Sequence, residues 1–434
     1  MKPILTSVCA SPILTLRTDK FKTEMLTVSL PLPFEQRTAR LCSLLFGIIK
    51  QGSGKYPGIT EINRRLDDLY DANIATMFAR SGDNVSAGFI CECLGRKFVP
   101  DGEDLLRGTV ETLENMLFDP LTDKDGMFPV SVTENEKKNL CDSIRASDND
   151  PRIHSYQLCR GIMCEGEPYG LRQAGTVDDV LSVTREEIMA YRNEFFASSS
   201  PMLIYVGDRE PSEVASLTEG LLSRFGKTPA ALCDTVIKLP KHEMREVEEE
   251  MQVTQGKLTM GFRSDICLND PDLYASIVFN DVFGGSATSK LFRNVREKQS
   301  LCYSCSSSLD FVKGVLFVRS GISNENKEKV KNEILKQLSE IQSGNVSDYE
   351  FECSKRSIEN SYRQVDDSAM SLESYYRIRM LGGLDEDVDT AIEKLGKVTK
   401  EDVIRVSKRF IPDTSAFIRG TLSGDASGEE ADDD

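Results

Sequence analysis

The spacing of apolar residues predicts helices alternating with short strands along most of the chain. In the first part, helices are predicted over about 38–50, after Gly58, and from about Asp101 to Pro120. The last of these carries four apolar residues at helical spacing, Leu106, Val110, Leu113 and Leu117. Alternating or continuous apolar runs predict strands at 13–16, 25–30 and 202–206.

Helix starts are indicated by a hydroxyl residue followed three positions later by an acid, the pattern of a capping box. This pattern occurs at Thr133–Glu136, Thr184–Glu187, Ser347–Glu350 and Thr399–Asp402. Each is predicted to open a helix.

The order of predicted elements recurs in the second half of the chain. Matching positions lie at nearly constant offsets: 215 residues for Thr184/Thr399 and Phe195/Phe410, 214 for Glu136/Glu350, and 213 for Gly207/Gly420. A constant offset between elements of the same type indicates an internal duplication. Each half is then an α/β unit, a sheet with helices packed on it.

We therefore predict an α+β protein of two tandem homologous domains, each a mainly antiparallel sheet covered by helices. The predicted domains span 1–225 and 247–422, joined by a mixed, proline-containing linker at 226–246. The last residues, 423–434, are Gly, Ser, Ala and acids only and are predicted to be disordered.

Composition narrows the class of partner. The formal net charge of −17 argues against nucleic acid and anionic membranes, because phosphate binding requires clustered Lys and Arg. Twelve irregularly spaced cysteines do not form a disulfide framework in a chain of 434 residues, so we interpret them as reduced thiols. No export signal or membrane-spanning apolar run is evident, which favours the cytoplasm.

Candidate chemistry is sparse. The only two histidines, His154 and His242, are 88 residues apart, so they cannot form a two-histidine zinc motif on one helical turn. Cys302 and Cys305 form a C-x-x-C, but on a regular strand positions i and i+3 point to opposite faces, which favours a structural role. The sequence contains no phosphate-binding loop and no G-x-S-x-G nucleophile motif, and nothing singles out one pair among the many carboxylates.

The most distinctive stretch runs from Gly284 to Tyr303. A Gly-Gly turn leads into a short predicted helix with Leu291 and Val295 on one face and Arg296 near its end. The helix is predicted to end near Ser300, where a strand begins at Leu301.

This stretch, G-G followed by S-x-L-F-x-x-x-R-E-K-x-x-L-x-Y, resembles the second domain of the pitrilysin/insulinase-type zinc peptidases, the inverzincins. The duplicated α/β layout is similar as well, so the resemblance covers nearly the whole chain to about residue 422. It implies the metallohydrolase-like fold of that family. It also implies a zinc site with an H-x-x-E-H motif and a later glutamate.

The zinc motif itself is missing. Anchored on Gly52-Ser53, it falls on residues 43–47, which read Ser-Leu-Leu-Phe-Gly, and the segment 40–51 has no His and no acid. The later glutamate falls near Cys141–Ser143, where the only acid is Asp142. Zinc catalysis requires imidazoles and carboxylates as ligands and a general base. We therefore predict no catalytic residues, no bound metal and no cofactor in this chain.

The family features that remain are Arg296 and Tyr303, which match an arginine and a tyrosine implicated in holding substrate. A guanidinium and a phenol can hydrogen-bond to peptide carbonyls. One departure is Ser300, where the family usually has glycine. The alternative is that Arg296 pairs with Glu297 or another acid and that Tyr303 belongs to the core.

The resemblance favours a catalytically inactive subunit that pairs with a zinc-bearing homologue to form a peptide-processing chamber, with zinc only in the partner. Two alternatives remain: an autonomous zinc peptidase with an atypical site, and a homodimer that binds extended peptides at a sheet edge.

Overall fold

The computed structural model describes residues 2–198, 200–229 and 231–422. The segment 423–434, predicted to be disordered, lies outside the described residues. The strands of the described chain are β1 (Ile4–Val8), β2 (Ser11–Arg17), β3 (Thr23–Pro33), β4 (Asn73–Ser81), β5 (Asn84–Leu94), β6 (Met202–Gly207), β7 (Arg245–Met251), β8 (Gly256–Arg263), β9 (Cys302–Asp310), β10 (Val315–Ile322) and β11 (Ile411–Gly420).

The helices of the same residues are α1 (Gln36–Ile49), α2 (Ile59–Asp67), α3 (Leu105–Phe118), α4 (Val130–Asn149), α5 (Pro151–Met163), α6 (Val177–Ser182), α7 (Arg185–Ser198), α8 (Pro211–Leu222), α9 (Leu273–Asn280), α10 (Lys327–Gln342), α11 (Asp348–Gln364), α12 (Ala369–Leu381), α13 (Val388–Gly396) and α14 (Lys400–Ser407). Two wider π-helical turns, Asp281–Gly285 and Phe292–Lys298, lie in the Gly284 stretch.

The strands form two sheets with the same internal order. The six-stranded sheet runs β1-β2-β6-β3-β5-β4 and the five-stranded sheet runs β7-β11-β8-β10-β9. In each sheet one pair is parallel, β2 with β6 and β7 with β11, and the neighbouring pairs are antiparallel. The order β2-β6-β3-β5-β4 thus repeats as β7-β11-β8-β10-β9, and the predicted α+β class with two homologous, mainly antiparallel sheets is confirmed.

The described residues group into two compact units that are discontinuous in sequence. The first contains the chain up to Arg145, Glu167–Val236 and Ser361–Ile392. Its apolar core is built by helices α1, α3, α7 and α8 together with the first sheet. Helix α12 belongs to this unit and packs against β6 and β3.

The second unit contains Ala146–Gly166, Ile237–Asn360 and the chain from Glu393 onward. Helix α5 packs here against β8 and β11, with Cys159 and Met163 buried and the Ser155 hydroxyl bonded to that of Thr259. The domains predicted at 1–225 and 247–422 stay a prediction, since the compact units divide the chain at other places.

The first part of the predicted linker, up to Val236, is anchored in the first unit. The side-chain amide of Asn84 donates to the Cys233 carbonyl at 2.7 Å, and the Val236 N–H donates to Asp83 at 2.7 Å. None of the helices within the described ranges is long and apolar enough to cross a membrane.

Candidate functional site

Helix α1 carries the residues at the zinc-motif positions. Its apolar residues recur at helical spacing, and Leu41, Leu44, Leu45, Ile48 and Ile49 are buried. Ser43 and Gly47, one turn apart, are half-buried on a shared face. Phe46 is only 2% exposed, and its ring centroid lies 5.0 Å from that of Phe89 and 5.7 Å from that of Phe195. The position to which the resemblance assigns the general base is therefore part of the core.

A carboxylate does lie against this part of α1, and it belongs to Glu136 of α4. A β-carbon added at Gly47 would lie 2.7 Å from Glu136 Oε2. The other oxygen, Oε1, accepts hydrogen bonds from the amides of Gln51 and Asn139, each at 3.0 Å. The acid placed here is thus Glu136, which sequence reasoning missed, whereas Asp142 is exposed and pairs with Arg145 at 2.9 Å.

The reason for the miss is that the predicted capping box at Thr133–Glu136 does not form. Helix α4 begins at Val130, so Thr133 lies inside its first turn, and its hydroxyl donates to the Pro129 carbonyl at 3.1 Å. Glu136 is therefore free to face α1. The boxes at Ser347–Glu350 and Thr399–Asp402 do form, since side chain and backbone bond reciprocally in each.

This arrangement does not fit a zinc ion. The three motif positions offer a hydroxyl, a phenyl ring and a hydrogen atom, and the carboxylate of Glu136 accepts two amide donors at one of its oxygens. Within residues 2–198, 200–229 and 231–422, no group of three or more His, Cys, Asp or Glu side chains is placed to hold a metal ion.

The two histidines have partners of their own. His154 Nε2 lies 2.7 Å from a carboxylate oxygen of Glu249. The His242 ring lies 2.8 Å from the carbonyl oxygen of Glu243, and this side chain is exposed, as predicted. Each histidine is therefore engaged in an ordinary polar contact within its unit.

The Gly284 stretch is anchored in the core of the second unit. Leu291 and Val295 are fully buried, which confirms the predicted apolar face. The Lys290 ammonium lies 3.1 and 3.2 Å from the two oxygens of Glu350, and both side chains are nearly buried. Glu350 also accepts from the Ser347 N–H at 2.9 Å, so one carboxylate ties the stretch to the start of α11.

The helical turn in this stretch ends at Lys298, close to the end predicted near Ser300. Ser300 has a φ of +50°, the left-handed conformation that glycine favours. Its N–H donates to the Arg296 carbonyl and that of Leu301 donates to Val295, both at 3.1 Å. These bonds satisfy the last carbonyls of the helix and direct the chain into β9.

We expect Ser300→Gly to raise the free energy of unfolding of the second unit by up to about 1 kcal/mol. Relief of the left-handed strain, about 1–2 kcal/mol, outweighs the extra entropy of glycine in the unfolded chain, about 0.4–1 kcal/mol. Urea denaturation followed by circular dichroism measures the difference. Ser306→Gly, on strand β9, is the control and should destabilise; equal effects of the two substitutions would contradict the assignment.

Arg296 and Tyr303 are both exposed. The Arg296 guanidinium lies over the Phe292 ring, 4.7 Å from its centroid, and among the described residues it forms no ion pair with Glu297. The Tyr303 side chain is 69% exposed, so it is not a core residue. Both groups can therefore reach a bound molecule, although their role in binding substrate stays a prediction.

The predicted geometry of the cysteine pair is wrong, whereas the structural role inferred from it stays a prediction. Along β9, Ser304 lies opposite Gly321 but Cys302 lies opposite Ile322, so Tyr303 is an extra, unpaired residue. This β-bulge shifts the alternation by one position. Cys302 and Cys305 consequently share one face of the strand instead of pointing to opposite faces.

Comparison with known proteins gives consistent results. A family profile described as "Peptidase M16 inactive domain" matches residues 182–358, which include the Gly284 stretch. The probable inactive metalloprotease YmfF of Bacillus subtilis (strain 168) is 30% identical over 407 residues, which cover 93% of this chain and 95% of the relative. The uncharacterized zinc protease YmxG of the same organism is 21% identical over 356 residues, 81% of this chain and 84% of that protein.

A solved structure shows the same fold. The crystal structure of a conserved protein from Enterococcus faecalis V583 superposes with a TM-score of 0.88 over 98% of this chain and all of that chain. The two sequences are 24% identical, so this likeness speaks for the architecture alone.

Proposed function

Because this chain belongs to the peptidase M16 family, the pitrilysin/insulinase-type peptidases, as an inactive metalloprotease-like member, we propose that it is the non-catalytic subunit of a two-subunit peptidase. Its partner would be a zinc-bearing homologue of the same family. Together the two subunits would enclose a peptide-processing chamber, with the metal and general base on the partner.

The observation that carries this proposal is the composition of α1. Ser43, Phe46 and Gly47 stand where the family places its ligands and base, and Glu136 is bonded to amides instead of a metal. The fold around these positions is intact. The chain thus keeps the surfaces of a family member but lacks the metal ligands and the general base that activate water. A scaffold of this kind is useful to a peptidase only beside a catalytic subunit.

Arg296 and Tyr303 give this subunit its part in substrate binding. A guanidinium held over Phe292 presents donors in a fixed plane, and an exposed phenol can donate to a peptide carbonyl. Both lie on a segment that Lys290 and Glu350 anchor in the core, which supports a role that needs little movement of its backbone when a peptide binds.

The test is a peptidase assay on the complex with a zinc-bearing homologue from the same organism. We expect Arg296→Ala to lower kcat/KM about 10- to 100-fold, and Tyr303→Phe about 5- to 10-fold, since hydrogen bonds contribute about 1–3 kcal/mol. Arg293→Ala is the matched control, because Arg293 is exposed on the same helix with its guanidinium 5.9 Å from the Tyr349 ring centroid. Size-exclusion chromatography should show that all three variants still form the complex.

Equal losses for Arg293→Ala and Arg296→Ala would contradict a specific role for Arg296. Failure of the wild-type chain to form a complex with any zinc-bearing homologue would contradict the subunit proposal itself. Elemental analysis of the purified chain tests the autonomous peptidase: near-stoichiometric zinc with chelator-sensitive cleavage would replace our proposal with that alternative.

A peptide-binding homodimer is the second candidate, favoured by the free edges of the sheets. Among the described residues β4 and β9 each end their sheet, and β9 presents exposed Tyr303, Ser304, Ser306 and Ser308. An extended peptide can add to such an edge through backbone hydrogen bonds. A stable homodimer that ignores the catalytic homologue in size-exclusion chromatography would favour this candidate.

A further inference from the structure

The β-bulge at Tyr303 brings two thiols together at the start of β9. Cys305 lies opposite Ser320 of β10, and Cys302 lies opposite Ile322. Ser320 and Ile322 are two residues apart on a regular strand, so they share a face, and their cross-strand partners share it too. The Cys305 thiol is 4% exposed and Cys302 is half-buried, which makes Cys302 the outer member of the pair.

The surroundings favour a thiolate at the outer cysteine. The pKa of Cys302 is lowered to about 7, chiefly by a hydrogen bond from the Cys305 thiol and against the effect of partial burial. A hydrogen bond with Ser320 and the charge of Arg296 also lower it. The hydrogen bond between the two thiols and deep burial raise the pKa of Cys305 well above its usual value. These groups belong to β9 itself, to strand β10 and to the π-helical turn that carries Arg296.

We propose that Cys302 and Cys305 are a redox-active dithiol that low-molecular-weight disulfides oxidise to an intrachain disulfide. This proposal does not depend on the proposed function. Reaction of a thiol with a disulfide requires the thiolate, access and a nearby second thiol to complete the exchange, and the pair supplies all three.

The reaction proceeds in two exchanges. The Cys302 thiolate attacks one sulfur of the small disulfide, forming a mixed disulfide and releasing one thiolate. Cys305 then loses its proton and attacks the Cys302 sulfur, which forms the intrachain bond and releases the second small thiolate. The small disulfide gains two electrons and leaves as two thiols once protonated, and the protein dithiol is oxidised by the same two electrons. Anionic disulfides such as oxidised glutathione suit a site beside Arg296.

The sequence allows a direct readout by mass spectrometry. Trypsin cleaves after Lys298 and Lys313, and the peptide 299–313 contains Cys302 and Cys305 and no other cysteine. After incubation of the full chain with oxidised glutathione and alkylation of remaining thiols, we expect this peptide to be unalkylated and two hydrogens lighter. Dithiothreitol should restore the alkylatable form.

Single substitutions separate the two roles. Cys305→Ser should trap one glutathione on Cys302, whereas Cys302→Ser should leave Cys305 unmodified because it is buried. Cys353→Ser is the matched control, since Cys353 is a half-buried cysteine on α11 of the same unit, and it should leave oxidation of the 299–313 peptide unchanged. Far-UV circular dichroism verifies that each variant is folded.

Three results would overturn the proposal. One is a wild-type peptide that remains a dithiol while other cysteines are modified. Another is a wild-type peptide that carries glutathione without closing the intrachain bond. The third is an unmodified Cys302 in folded Cys305→Ser.

Discussion

Arg209→Met is expected to lower the free energy of unfolding of the first unit by about 3–5 kcal/mol. Arg209 is 4% exposed at its side chain and binds two acids at once, Glu24 and Asp104. Glu24 is 2% exposed and also accepts from the Tyr205 hydroxyl at 3.1 Å. Methionine fills much of the volume but leaves the buried carboxylate of Glu24 without its counter-charge, which accounts for the size of the loss.

The matched control is Arg17→Met. Arg17 pairs with Glu210 at 2.5 Å, but both side chains are about half exposed, so the pair contributes less than about 1 kcal/mol. The chain contains no tryptophan, so far-UV circular dichroism during urea denaturation is the suitable measurement. A loss for Arg209→Met no larger than that for Arg17→Met would contradict a buried network that stabilises this unit.

The same network predicts a pH effect with a definite sign. Burial raises the pKa of Asp104, but hydrogen bonds from Arg209 and the Arg107 N–H outweigh it, and the pKa lies below its ordinary 3.8. A lowered pKa contributes stability above the ordinary value that is lost as pH falls through the folded value. Arg209→Met should therefore lose less stability than the wild type on acidification through this range.

Phe46→Glu is expected to cost at least about 3–5 kcal/mol and to leave much of the protein unfolded. It introduces the acid of the zinc motif but places a carboxylate beside the rings of Phe89 and Phe195, which cannot replace its lost hydration. Soluble yield and denaturation by circular dichroism measure the effect. Restoring catalysis would thus require rebuilding the core behind α1 as well as the ligands.

Two variants of α1 make the comparison specific. Ser43→Glu places the same group on the same helix at a half-buried position and should cost about 1 kcal/mol or less. Phe46→Leu keeps the site apolar and should cost less than Phe46→Glu. If Phe46→Glu were as stable as the wild type, position 46 would face solvent, and our account of why the site is inactive would be wrong.

Apolar periodicity predicted the elements well because burial of one face determines them locally. Leu106, Val110, Leu113 and Leu117 were placed on one helix, and all four are buried on α3. The repeated strand order also follows the duplication that the constant offsets indicated. These signals lie within a few residues of each other or recur at a fixed distance, so the sequence displays them directly.

The capping pattern at Thr133 failed because the same residue types also occur inside helices. Pro129 and Val130 allow α4 to begin one turn earlier, and Thr133 then bonds back to Pro129. Only the position of α1 reveals that Glu136 faces Gly47. A contact between residues 89 positions apart leaves no local signal in a single sequence.

The cysteine pair shows the limit of period-two reasoning. The rule that i and i+3 face opposite sides of a strand holds for a regular ladder, and the extra residue at Tyr303 breaks the ladder. The alternating Ser304, Ser306 and Ser308 are compatible with a regular edge strand. The local sequence therefore gives no signal for a β-bulge. The two thiols therefore share one face of the strand, where the pattern placed them on opposite faces.

The placement of α12 and α5 has a consequence for how the newly made chain folds. During synthesis, β6 and β3 leave the ribosome long before Ala369–Leu381, the helix that packs on them. Helix α5, by contrast, emerges before either strand that it covers, β8 and β11. The first unit therefore waits for a helix from the second half of the chain, whereas α5 waits for the strands that it covers. The apolar surfaces that stay uncovered in the meantime favour aggregation and chaperone binding. The protein can fold completely only after both halves have been synthesised. The whole chain, and not the repeat, is therefore the unit of folding.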